Sequence, residues 1–268
     1  MDIISSILLG GVEGVTEFLP ISSTGHLTLV SGLLGISQTD FVKSFEVIIQ
    51  LGAILAVLAL YWRKLLTNWP VLKRVIIAFL PTAILGLVFY KIIKTYLLGN
   101  NVVVLAALFV GGFVLIFFEL WQARRPQLDN SRLRGEASKP DELEKIPYWQ
   151  AVILGLCQSI AMIPGVSRSA ATIVGGLALG IKRETIVEFS FLLAVPTMAA
   201  ATGLDLIKSS INFSTPEWGF LLIGFFVSFL TALLAIKSFL AYIQKHDFVA
   251  FGLYRIVIAL VFASLLFV

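Results

Sequence analysis

Two polar islands in this sequence hold residue types that could do chemistry. The first is VEGVTEFLPISSTGHL, residues 12–27. Glu13 and Glu17 are four apart and share one helix face. Two carboxylates on one face inside a membrane need a wet cavity, a metal ion or a shared proton. Ser22, Ser23 and Thr24 follow as three consecutive hydroxyls. Such a run can cap a helix start, and it can also supply a nucleophile once a base or metal activates it. His26, three residues after Ser23 across Gly25, is a candidate proton carrier.

The second island is PGVSRSAAT, residues 164–172. Pro164 and Gly165 break a helix, so the backbone N–H groups of the next helix start face the gap and favour an oxyanion. Ser167, Ser169 and Thr172 add hydroxyl donors. Arg168 adds a planar fork that matches two phosphate oxygens. Carboxylates and a histidine for protons or a divalent metal, with an arginine and a helix terminus for developing negative charge, point to phosphate chemistry.

The surroundings are oily. Of 268 residues 58% are hydrophobic and 13% charged, against about a quarter charged in soluble domains; mean hydropathy is +0.96. The expectation is an all-α polytopic membrane protein whose first helix is retained rather than cleaved. The single Cys157 implies no disulfide scaffold. No basic stripe interleaved with aromatics occurs, so nucleic acid is not an expected partner.

A span needs roughly 20 apolar residues. Segments near 44–62, 75–95, 98–120, 185–207, 217–240 and 248–268 qualify. Residues 1–36 and 148–180 each run apolar, polar, apolar around a Pro or Gly break. They read as re-entrant hairpins, tolerated where irregular backbone lines a cavity or is buried in protein. The chain then divides into a first repeat (1–122), a polar loop (123–147) and a second repeat (148–268). Each half has one hairpin and three spans.

With this topology the loops 63–74, 123–147, 181–184 and 237–247 collect fourteen Lys and Arg. The other side holds only Lys43, Lys91, Lys94 and Lys208. The first side is therefore cytoplasmic and both termini face outward. Arg168 and Arg255 remain within the membrane, Arg255 as a helix-packing or interface residue. The five tryptophans lie near span ends, as an aromatic belt would.

Shifted by 144 positions, the sequence partly matches itself: Gly11 falls on Gly155, Pro20 on Pro164, Ser23 on Ser167 and Phe45 on Phe189. In this register Glu13 meets Cys157 and Thr24 meets Arg168. Three crossings plus one hairpin per half invert the second copy, which predicts an inverted-topology repeat with its site where the broken helices meet. One copy keeps acids and the other a cation, so the two would form a composite site. Among apolar helices, its substrate would carry a lipid tail. A flippase or transporter is the competing class, since the same plan suits alternating access. Glu46, Gln50, Glu188 and Ser190 are candidates for supporting the site.

EGVTEFLPISSTGH (13–26), FEVIIQLGAILAV (45–57), PGVSRSAAT (164–172), EFSFLLAVP (188–196) and YRIVIA (254–259) closely resemble the undecaprenyl-diphosphate phosphatases of the bacitracin-resistance type. The similarity runs over nearly the whole chain outside 123–147. It implies a bacterial inner-membrane enzyme that hydrolyses a polyprenyl diphosphate to the monophosphate carrier used in peptidoglycan synthesis, at a site open to the periplasm, with magnesium or calcium. On matching positions it implies that Glu13 and Glu17 hold metal or act as acid and base. Ser23 would be the nucleophile and His26 the proton donor to the leaving group. Arg168 with Ser167, Ser169 and Thr172 would bind the diphosphate, alongside Ser22, Thr24 and Gly165. A carboxylate-activated water is the rival nucleophile. Membrane lipids are the expected surroundings. Oligomeric state is not readable, and a homodimer is one arrangement left open.

Overall fold

The computed structural model describes residues 1–37, 39–97, 99–124, 140–208 and 213–267. Most of the polar loop 123–147 lies outside the described residues, with Arg125, Arg132, Arg134 and Lys139. Ten α-helices run through the described residues: α1 (Ile3–Thr16), α2 (Ser23–Leu33), α3 (Asp40–Trp62), α4 (Trp69–Ile92), α5 (Asn101–Arg124), α6 (Tyr148–Ser159), α7 (Arg168–Ala178), α8 (Arg183–Lys208), α9 (Thr215–Ile243) and α10 (Val249–Phe267). No strand occurs among the described residues.

Helices α3, α4, α5, α8 and α9 are long and apolar enough to cross a membrane. At 1.5 Å per residue, the 19 residues of α10 reach about 28 Å, close to the ~30 Å hydrocarbon core. By contrast α1 and α2 have 14 and 11 residues and α6 and α7 have 12 and 11. These four are the hairpin arms, each too short to span. All five tryptophans are exposed, as belt residues would be.

Local sequence sets where these helices begin. Asp2 accepts from the Ser5 N–H at 2.7 Å to start α1, and Thr39 accepts from the Val42 N–H at 3.3 Å to start α3. Asn68 does the same for Val71 at 3.2 Å, with Pro70 in the first turn of α4. These are ordinary N-caps.

Both hairpins are built alike. After each break a serine caps the second arm: Ser22 accepts from the Gly25 N–H at 3.4 Å and Ser167 from the Ala170 N–H at 3.2 Å. Both have left-handed φ, 73° and 74°, and they are the only non-glycine residues described that do. A β-carbon there costs on the order of 1–3 kcal/mol. Each second arm ends on a glycine of positive φ, Gly35 and Gly180, with the Schellman pattern of bonds from Ile36 to Ser31 and from Ile181 to Gly176.

This corrects the repeat register. Caps and C-terminal turns pair at a shift of 145, not 144. Ser22 is the counterpart of Ser167, Ser23 of Arg168, and Glu13 of Gln158. Among the described non-glycine residues only the two cap serines adopt the left-handed backbone, and that fixes the register more tightly than scattered apolar identities do.

Packing follows the same correspondence. α1 lies on α9 as α6 lies on α4; α3 lies on α9 as α8 lies on α4; α5 packs on α10 and α3 on α8. Helix α8 is central: 61% of its apolar window is buried, against 17% for α4. Ile186, Val187, Phe189, Phe191, Leu192, Leu193 and Ala194 are all fully buried, the pattern of a helix that is apolar all round. The exposed Leu, Ile, Val and Phe of α4, α5 and α9 face outward, where lipid would lie.

Candidate active site

The two breaks meet around one cavity of about 170 Å³. Glu17, Ser22, Ser23 and Thr24 line it from the first hairpin. Pro164, Gly165, Ser167 and Arg168 line it from the second. Ser23 and Arg168 each open the second arm of their hairpin, so the pseudo-equivalent positions carry a hydroxyl and a guanidinium that face the same space.

Glu17 sits at the C-terminus of α1, its N–H bonded to the Glu13 carbonyl at 2.9 Å. One oxygen of its carboxylate accepts a short hydrogen bond from Ser23 Oγ. The other accepts from Arg168 Nη2 at 3.3 Å. Arg168 Nη1 donates to the Ser190 carbonyl at 2.7 Å, which aims the fork. Its Nε is buried and has no partner. An orphaned donor of this kind is destabilising unless something accepts from it, and an anion in the cavity would.

Several expected site residues lie off the cavity wall. Glu13 is fully buried one turn behind Glu17, and neither of its carboxylate oxygens has a partner. His26 does not bond Ser23. Its Nδ1 lies 2.7 Å from the Ser22 carbonyl and its Nε2 2.8 Å from Tyr254 Oη, with the His26 and Tyr254 rings stacked 5.5 Å apart. A carbonyl only accepts, so Nδ1 carries the proton, and in the neutral ring Nε2 accepts from the tyrosine. Ser23 finds Glu17 instead because the break folds the end of α1 back over the start of α2.

Ser169 donates to the Leu19 carbonyl at 2.8 Å, and Thr172 to the Arg168 carbonyl at 3.0 Å. Both hydroxyl protons are thus committed to backbone. Ser169 fastens the second hairpin to the break of the first. The expectation that these two would donate to an anion does not match their placement.

Further cavity residues lie outside the two polar islands. Gln158 Nε2 donates to Thr82 Oγ1 at 3.1 Å and to Thr197 Oγ1 at 3.0 Å. All three line the cavity, as does Gln50, one of the candidates for supporting the site. Thr82 and Thr197 each follow a proline inside a spanning helix, Pro81 and Pro196. Two Pro-Thr pairs at mid-span are the sequence signal that could have found them. Glu46 accepts from Ser31 Oγ at 2.9 Å, beside the first hairpin.

The family model for bacitracin resistance protein BacA matches residues 6–261 of the chain. The chain belongs to this family. It is 52% identical to the undecaprenyl-diphosphatase of Persephonella marina over all of both chains. It is 49% identical to the undecaprenyl-diphosphatase of Aquifex aeolicus over 97% of this chain and 96% of that protein. It is 45% identical to the undecaprenyl-diphosphatase of Thermus thermophilus over 96% and 95%.

Among the described residues no three His, Cys, Asp or Glu side chains cluster as a ready-made metal site. The residues present nonetheless fit a hard divalent cation. The two unpartnered oxygens of Glu13 lie one turn from Glu17, and magnesium takes one or two carboxylates, completing its shell with waters and substrate phosphates.

Proposed function

We infer that the protein is an integral-membrane undecaprenyl-diphosphatase, converting undecaprenyl diphosphate and water to undecaprenyl phosphate and inorganic phosphate. The observation that carries this reading is one cavity holding Ser23 hydrogen-bonded to Glu17, with Arg168 of the other hairpin on the same carboxylate. That is a nucleophile, a base and an anion-binding fork within contact of one another.

The steps follow from the residues. Arg168 takes the terminal phosphoryl oxygens, its free Nε adding a donor that strengthens as charge builds. Ser23 Oγ attacks phosphorus while its proton passes to Glu17. The bond to the bridging oxygen breaks, and undecaprenyl phosphate leaves with the proton from Glu17. Water then attacks the phosphoserine, losing a proton to the ionised Glu17; the bond from phosphorus to Ser23 Oγ breaks, and Glu17 returns that proton to Ser23 as phosphate departs. Glu13 and Glu17 are the residues that would hold a divalent cation, which would neutralise phosphate charge when bound.

The excess of Lys and Arg on the loops after α3, α5 and α9 supports a bacterial inner-membrane setting with those loops cytoplasmic. The matching construction of the two hairpins supports an inverted arrangement of the halves, with the cavity opening to the periplasmic side. The polyprenyl tail would lie along the apolar helices beside the cavity.

The test is phosphate release from undecaprenyl diphosphate by the full chain in detergent. Arg168→Ala should lose on the order of 10²–10³ in kcat, the usual cost of one charge-stabilising donor. Wild-type protein that releases no phosphate, or an Arg168→Ala variant as active as wild type, refutes the assignment.

A further inference from the structure

Arg255, on α10, is fully buried. Every N–H of its guanidinium reaches a backbone carbonyl. Nε donates to Leu108 at 3.3 Å. Nη1 donates to Pro20 at 3.2 Å and Val166 at 3.0 Å. Nη2 donates to Ala107 at 3.0 Å and Gly165 at 2.9 Å. A guanidinium has five N–H donors, and all five are used. Leu108 and Ala107 belong to α5, the helix on which α10 packs. Pro20 lies in the break of the first hairpin, and Gly165 and Val166 in the break of the second.

An arginine that only fastened α10 to α5 would need nothing beyond Ala107 and Leu108. Burying a guanidinium inside a membrane protein is costly. A leucine or methionine would join two apolar helices without that penalty. The reach to Pro20, Gly165 and Val166 therefore points to the breaks as its purpose.

Carbonyl direction matters because, in a trans peptide, the C=O of one residue and the N–H of the next point opposite ways. Drawing the Val166 carbonyl toward Arg255 turns the N–H of Ser167, a cavity residue, away from it. Drawing the Pro20 carbonyl fixes the turn two residues ahead of Ser22. Ser22 and Ser167 are the two strained caps, and they set the direction of Ser23 and Arg168. The fold also reserves room for the clamp: a β-carbon at Gly111 of α5 would collide with Arg255 Nη2 and lie 2.7 Å from its Cζ.

We propose that Arg255 is a positioning residue for the phosphatase reaction. Its guanidinium ties the breaks of the two hairpins to each other and to α5, so that Ser23 and Arg168 face a single diphosphate. This rests on the hydrolase reading above and adds a part to it. No contact between Arg255 and the diphosphate is required.

The experiment compares wild type, Arg255→Lys, Arg255→Met, Gly111→Ala and the double variant Arg255→Met/Gly111→Ala, as full chains in detergent. It measures thermal melts and phosphate release from undecaprenyl diphosphate. Lysine keeps the charge but not the five-way fork. Gly111→Ala keeps the arginine but displaces its head.

Arg255→Lys, Arg255→Met and Gly111→Ala should each lower kcat on the order of 10²-fold, as small misplacements of reacting groups do, with KM within about threefold. In the Arg255→Met background, Gly111→Ala should cost little more, because the group it displaces is gone. Folded Arg255→Lys or Gly111→Ala protein with wild-type kcat overturns the proposal. So does a loss confined to KM, or strictly additive losses in the double variant. If none of the three single variants folds, Arg255 is a folding residue and the proposal fails. Wild-type phosphate release is a separate readout: its absence removes the hydrolase reading, whereas its presence beside unimpaired variants removes only the clamp.

Discussion

Glu17 is the residue through which the two halves communicate, because Ser23 and Arg168 share its carboxylate. Glu17→Gln would keep an oxygen but could not take the serine proton, and its amide N–H₂ cannot accept from Arg168. We expect kcat to fall roughly 10²–10⁴-fold, the range of a lost general base, measured as phosphate release. Ser22 and Ser23 should separate cleanly. Ser23→Ala removes the nucleophile, and no phosphoserine is trapped on rapid quench. Ser22→Ala removes a cap worth about 1 kcal/mol and lowers the melting temperature while phosphoserine still forms. Trapped phosphoserine in Ser23→Ala would move the attack to another serine, and none in wild type would transfer it to water. The Glu-x-x-x-Glu spacing and the hydroxyl run were legible in the sequence. The partnership of Ser23 with Glu17 rather than His26 was not, since it depends on how the chain turns at Pro20.

At the scale of elements, the hairpin arms hold their places by close backbone approach. A β-carbon on Gly10 of α1 would run into the Gly224 carbonyl of α9, and one on Gly155 of α6 into the Ala78 carbonyl of α4. Membrane helices pack through small residues in this way because lipid offers no hydrophobic drive between them. Gly10→Ala and Gly155→Ala should each destabilise by about 1–3 kcal/mol, the usual effect of overpacking, seen as lower melting temperatures in detergent. At Gly32, where a β-carbon meets nothing, the same change should be neutral or stabilise by up to about 1 kcal/mol. Equal melts for all three variants would contradict this packing. The hairpins themselves were readable from Pro and Gly punctuation within apolar runs too short to span. Their register was not, because one residue of shift is decided by the cap serines and leaves little trace among apolar identities.

Across the whole molecule, polar links gather at the end that the charge pattern assigns to the cytoplasm. Glu119 of α5 binds Arg183 of α8 through two bonds, 2.7 and 3.0 Å, and accepts from the Phe248 N–H at 3.1 Å at the start of α10. One carboxylate thus joins three helices. Lys64 after α3 pairs with Glu188 of α8, and Lys182 pairs with Glu142 in the turn before α6. Burial pushes the Glu142 carboxyl up. Hydrogen bonds from Lys182 and Thr185, and the charges of Lys182 and Lys145, outweigh it and hold the group below its ordinary 4.5. A carboxyl depressed on folding stabilises above its unfolded pKa, and that contribution is lost as pH falls through the folded value. Glu142→Gln should therefore melt lower than wild type near pH 7, and the gap should close as pH drops below about 4.5. A gap that persists under acid would assign the loss to packing instead.

The sequence by itself determined that the chain is a helical membrane protein, where its spans lie, and that two broken hairpins carry acid, hydroxyl and arginine chemistry. Those properties follow from composition, segment length and Pro/Gly breaks, which act locally. Tertiary structure alone decided that Ser23 and Arg168 line one cavity, that Ser169 spends its hydroxyl on the backbone of the other hairpin, and that Arg255 reaches both breaks. The reason is directional. A hydrogen bond requires its two groups within about 3 Å and aimed at each other, and for residues far apart along the chain only the packing of the intervening helices supplies that aim.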